Sequence, residues 1–135
     1  MSVAQIPTQA TRTAPADALR DAASFRDPSG FVFECDHCIY RAVDRRMLDV
    51  WRRLSASGLI DRLATSGAIV ATRFVDDADR ASALNEIAPE AAGFLQHARV
   101  PTISYPYEWS PSMLADAGLL TLSLQQRLLE HGMAL

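Results

Sequence analysis

Two short stretches hold residue types able to do chemistry. The first is Cys35-Asp36-His37-Cys38. Two thiols at C-x-x-C spacing can chelate one zinc ion, which takes four nitrogen or sulfur ligands. His37 lies too close to its neighbours to complete such a set, and only His97 and His131 remain. A redox dithiol would place its first cysteine at a helix N-terminus, where the thiol pKa falls. Here β-rich runs flank the motif, Phe31-Val32-Phe33-Glu34 before it and Ile39-Tyr40-Arg41-Ala42-Val43 after it. That pattern predicts the tip of a hairpin. The reading adopted is an exposed turn that holds two thiols, with no metal site. Zinc ligation and dithiol chemistry at Cys35 and Cys38 are the alternatives.

The second stretch is Tyr105-Pro106-Tyr107-Glu108-Trp109, directly ahead of Ser110-Pro111. Aromatic surface, one carboxylate and the free N–H groups of a helix start can contact a ligand or partner. The competing reading is a packed hinge, with Pro106 fixing the chain and Trp109 stapling the helix start. Tyr105, Tyr107, Glu108 and Trp109 are the candidate contact residues. No catalytic and no cofactor-binding residue is assigned, and no Ser-His-Asp arrangement can be assembled. Arg26 with Asp27 reads as a surface pair. Arg45, Arg46, Arg52 and Arg53 read as a solvated helix face, and His131 as a helix-end residue suited to the dipole.

Composition narrows the chemistry. All 13 basic residues of the 135 are arginine. Without lysine there is no Schiff-base amine and no phosphate-binding P-loop lysine. Net charge is −3, and only two Arg pairs hint at a basic face, so extended nucleic-acid binding is not expected. No apolar run reaches the roughly 18 residues of a membrane span. Residues 1–20 lack the apolar centre of a secretory signal. The chain reads as cytoplasmic and bacterial, and its length suits one domain.

The elements that must position these residues follow from spacing. Residues 1–22 show no sustained period and read as a disordered arm; residues 23–135 read as a single, incomplete α+β domain. Asp27-Pro28-Ser29-Gly30 is a turn. Alternation places Phe31, Phe33, Ile39 and Val43 inward on a hairpin over 31–43. Asp44 caps a helix over about 45–55 that buries Met47, Leu48, Trp51 and Leu54. A short helix follows over 58–66, ended by Gly67. Strands are expected at 68–75 and 93–100, while 80–92 is ambiguous because Pro89 interrupts it. Ser110 and Pro111 start a long C-terminal helix that ends at Gly132. Leu114, Ala117, Leu120, Leu124 and Leu128 form one apolar face, which Met113, Leu119, Leu122 and Leu129 extend most of the way round. Such a helix is buried by more than one neighbour. The preceding residues can cover only part of it. The expected cover is the missing C-terminal part of a larger protein, or a second copy through the 111–131 helix.

Three stretches have a distinctive wording: Phe25-Arg26-Asp27-Pro28-Ser29-Gly30-Phe31-Val32-Phe33-Glu34 with Ile39-Tyr40-Arg41, then Ile103-Ser104-Tyr105-Pro106-Tyr107-Glu108-Trp109, then His131-Gly132-Met133. Together they resemble the N-terminal region of a bacterial family of class I SAM-dependent methyltransferases related to nodulation-type proteins. The resemblance covers about residues 24–135. It implies a non-catalytic front segment that positions substrate or docks, ahead of a SAM-binding fold located elsewhere. SAM is implied only for full-length relatives. The chain has no Gly-x-Gly, so the glycine-rich turn that lets a cofactor approach the backbone is absent, and the chain alone is predicted inactive. Hairpin, helix, strands, hinge and long helix also resemble the front part of a kinase-like fold, without its lysine or glycine-rich phosphate loop. A self-associating or partner-binding module and a thiol- or zinc-dependent regulator are the other functional readings.

Overall fold

A computed structural model describes residues 19–22, 24 and 27–133. Most of the predicted arm, together with Phe25 and Arg26, lies outside the described residues. The described chain divides into two compact units, one ending at Arg99 and the other beginning at Val100.

The first unit is a five-stranded antiparallel sheet with three helices. Its strands are β1 (Leu19–Arg20), β2 (Gly30–Cys35), β3 (Cys38–Val43), β4 (Thr72–Phe74) and β5 (Gly93–His97), and its helices are α1 (Arg45–Ala56), α2 (Leu59–Thr65) and α3 (Ala78–Ile87). Strand order is β1-β2-β3-β5-β4. The α+β architecture is the one expected. The two residues of β1 fall inside the stretch read as an arm, and they pair with Phe33 and Glu34.

The hairpin sets the register. Cys35 sits opposite Cys38, Phe33 opposite Tyr40 and Phe31 opposite Ala42. Two residues form the loop, Asp36 at φ 49° and His37 at φ 60°. Left-handed values at both centres define the type I′ turn, whose twist matches that of its strands. At the other end Gly30 must lack a side chain, because a Cβ there would sit 1.9 Å from the carbonyl oxygen of Ala42.

Both faces of the sheet carry apolar clusters, which corrects the inward set. Phe33, Cys35, Cys38, Tyr40, Ala42 and Phe94 gather on one face with Leu84 of α3. Val43 and Leu95 meet Leu48 of α1 on the other, beside Met47, Trp51 and Phe74. Phe33 and Val43 are buried as expected, but Phe31 and Ile39 are only half-buried, while Tyr40 and Ala42 are buried. Simple alternation assumes one wet face. Here α3 and α1 take opposite faces, so consecutive residues of β3 are both useful inside.

Side-chain caps start α1, at Asp44 as expected, and α3, at Asp77, which spacing did not assign as a cap. Asp44 accepts a hydrogen bond from the Met47 N–H at 2.7 Å, and Asp77 one from the Arg80 N–H at 2.7 Å. The ambiguous stretch resolves as α3, which stops before Pro89 because the residue preceding a proline avoids helical geometry. The strand expected at 68–75 shortens to Thr72–Phe74. Its first residues serve α2 instead: the N–H groups of Ala68 and Ile69 both donate to the Leu63 carbonyl.

The second unit holds a 3-10 turn, Pro106–Glu108, and the long helix α4 (Pro111–Leu129). Ser110 caps α4 by accepting from the Met113 N–H at 3.3 Å. Gly132, at φ 70°, closes it, and the Met133 N–H returns to the Leu128 carbonyl at 2.9 Å. None of its residues is buried.

Candidate functional site

The hairpin tip carries the densest polar cluster. Cys35 and Cys38 are free thiols, and both are buried. The turn exists as predicted, but its thiols do not belong to an exposed surface. They point to the face that carries Phe33 and Tyr40, because two residues of turn put both cysteines on that side. His37 alone is exposed there.

Arg80, in the first turn of α3, ties the cluster together. Its Nη1 donates to Asp36 Oδ2 at 2.8 Å, its Nε to the Tyr40 hydroxyl at 3.1 Å, and its Nη2 lies 3.7 Å from Cys35 Sγ. The guanidinium carbon stands 5.0 Å from the centre of the Tyr40 ring. The Cys35 thiol also reaches Asp36 Oδ2 at 3.7 Å. A cation in the first turn of a helix opposes the helix dipole, and Asp36 offsets that. Burial pulls the Arg80 pKa down, but the hydrogen bonds to Asp36 and Tyr40 raise it overall. Burial pushes the Cys35 thiol up despite the nearby Arg80 charge, and burial likewise raises Tyr40. A thiol that holds its proton is a poor nucleophile. The arrangement therefore locks hairpin to helix rather than activating sulfur. Among the described residues, no three His, Cys, Asp or Glu side chains gather as a metal set.

Spacing alone did not single out Arg80, because its helix was ambiguous. The available signal was the pair Asp77 and Arg80, a cap followed three residues later by a charge that needs a partner. His97 was also missed as a titrating group. It lies on β5 with Nδ1 2.8 Å from Thr72 Oγ1. Burial, with a smaller contribution from the Arg41 charge, lowers its pKa to about 4. Arg41 pairs with Asp27, and its Nε is buried without a hydrogen-bond partner. The Arg26–Asp27 pairing falls on a residue outside the described set.

The four candidate contact residues lie in the second unit. Tyr105 and Tyr107 stack with ring centres 5.6 Å apart and planes 3° from parallel. Both are exposed, Tyr107 at 83%. Glu108 turns back, its Oε2 accepting from the Tyr105 N–H at 2.8 Å. Trp109 is half-buried and its Nε1 donates to Ser104 Oγ at 2.9 Å. So two rings present an aromatic platform, while the carboxylate and the indole fix the turn that carries it. The turn leads directly to Ser110 and the start of α4.

These features define a small α+β module: a two-faced sheet locked by an arginine, and an aromatic turn leading to an apolar helix. Over 117 residues, 86% of its length, the chain is 38% identical to the nodulation protein NoeA of Rhizobium meliloti strain 1021. It spans 23% of the length of that curated relative. No protein-family model matches the chain, and no solved structure matches it. No helix among the described residues is long and apolar enough to cross a membrane.

Proposed function

We propose that this chain acts as the non-catalytic front segment of a larger nodulation-type protein of the SAM-dependent methyltransferase class, working in the cytoplasm. Its task is to position substrate or to dock, through the platform of Tyr105 and Tyr107 on the turn fixed by Glu108 and Trp109. The observation that carries this reading is the reach of the similarity, 86% of this chain against 23% of the relative. The stacked, exposed tyrosines support a contact role, since aromatic residues supply large contact area at low conformational cost. The methyltransferase class rests on the sequence resemblance, and the likeness to a nodulation protein agrees with its nodulation side.

The chain itself holds no glycine-rich cofactor turn. Calorimetric titration of SAM into the purified chain is expected to give no binding heat, and a clear micromolar isotherm contradicts the non-catalytic assignment. Docking is read by mixing the chain with the remaining length of the Rhizobium meliloti relative. A complex weakened by Tyr105→Ala with Tyr107→Ala supports the platform. Unchanged affinity in that variant, or no complex at about 100 µM, a dissociation constant weaker than roughly −5.5 kcal/mol represents, contradicts it.

A further inference from the structure

The long helix has an uncovered apolar surface and very little charge. Between Pro111 and Leu129 the only ionisable side chains are Asp116 and Arg127. Both are exposed, and neither takes part in an ion pair among the described residues. They are eleven residues apart. Eleven residues make about three helical turns, so the two charges lie on nearly one stripe, roughly 16 Å apart along the axis.

Opposite charges spaced this way are self-complementary. A second copy laid antiparallel brings Asp116 of each helix beside Arg127 of the other, closing two symmetric pairs at once. The same register settles the apolar contacts. Leu120 comes level with Leu124 of the other copy, and Ala117 with Leu128, each within about 3 Å along the axis. Ala117, Leu120, Leu124 and Leu128 form the stripe beside the two charges; Leu120 is exposed and the other three are half-buried. Small against large and leucine against leucine is how facing helices interdigitate. Antiparallel alignment also sets the positive end of each helix dipole against the negative end of its partner.

We infer that α4 is a self-pairing helix, and that two copies of this chain associate antiparallel through the Ala117–Leu128 stripe with Asp116 and Arg127 fixing the register. A parallel pair would set like charge against like, so the charges select direction as well as partner.

Sedimentation velocity on the whole 135-residue chain, from about 1 to about 200 µM, reads the association. A concentration-dependent dimer is expected. Asp116→Arg and Arg127→Asp should each weaken it by about tenfold, since each turns two attractions into two repulsions. The doubly exchanged chain, Asp116→Arg with Arg127→Asp, should return to near the original affinity. Leu120→Gln, which leaves every charge in place, should weaken the dimer as well. Circular dichroism on each variant confirms that the helix is retained. A monomer across the whole range overturns the inference, including one whose helix pairs only with the rest of a larger protein. So does a dimer indifferent to the single reversals, or one that the double exchange fails to restore. None of these outcomes depends on SAM or on the tyrosine platform.

Discussion

The two units spend their apolar residues in opposite ways. In the sheet unit, Leu84 is 0% exposed and Cys35 1% exposed, both in the cluster under α3. In the other unit, α4 carries seven leucines in its 19 residues, yet Leu122 is 67% exposed. Burial of apolar area is the dominant favourable contribution to folding. The sheet is therefore stabilised by its own sequence. The helix is held by its caps and by local propensity. The contrast separates a part that buries its apolar side chains from a part that leaves them exposed.

The largest expected effect tests the contrast directly. Leu84→Ala should destabilise the sheet unit by about 2–5 kcal/mol, the range for truncating a buried leucine. Leu122→Ala, the same chemical change on α4, should move the thermal midpoint of a dilute sample hardly at all. Equal losses at the two positions would erase the distinction between the units.

Acid should strike the sheet first. His97 has a pKa near 4 in the fold, against about 6.5 when unfolded. The unfolded chain therefore takes up a proton that the folded chain refuses. The stability this contributes is complete above about pH 6.5 and is lost as pH falls towards 4, by at most about 3 kcal/mol. Denaturant titrations at pH 7 and pH 4.5 measure it, and His97→Gln should flatten the difference. A pH-independent midpoint in the parent chain would show His97 to be free in solution.

Next in size is the lock at the hairpin. Arg80→Met removes a charged partner from Asp36 and the donor to Tyr40, and should cost about 2 kcal/mol. It should also quicken the reaction of Cys35 with a thiol reagent, because hairpin and α3 are no longer tied. Unchanged labelling together with unchanged stability would remove Arg80 from the account. The smallest effect belongs to the other unit: Ser110→Ala deletes the cap of α4 and should lower helix content, by about 1 kcal/mol of local stability. Far-ultraviolet circular dichroism reads it.

Local chemistry explains what the sequence disclosed. The hairpin, α1, α2 and α4 are spelled by turn residues, by Asp44 and Ser110 as caps, and by spacing that only one geometry satisfies. The faces of the hairpin were harder. Tyr40 and Ala42 are buried because α3 lies over them, and α3 itself was hidden between Asp77 and Pro89 with a weak apolar stripe. Once that helix was missing, the Arg80 cluster was unreadable, since its members are 35, 36, 40 and 80 in the chain and meet only through tertiary packing. The same gap left the thiols of Cys35 and Cys38 at a surface, when the helix encloses them. The stacking of Tyr105 on Tyr107 depends on the 3-10 turn that Glu108 closes, a contact too local and too irregular for periodicity to reveal.

Amide hydrogen exchange, followed by mass spectrometry at low and high chain concentration, tests the division most directly. Peptides from β2, β3 and β5 should exchange slowly at every concentration, near the global unfolding limit. Peptides from 111–129 should exchange rapidly in dilute solution and gain protection as concentration rises. Protection of α4 equal to that of β3 in the most dilute sample would contradict the account.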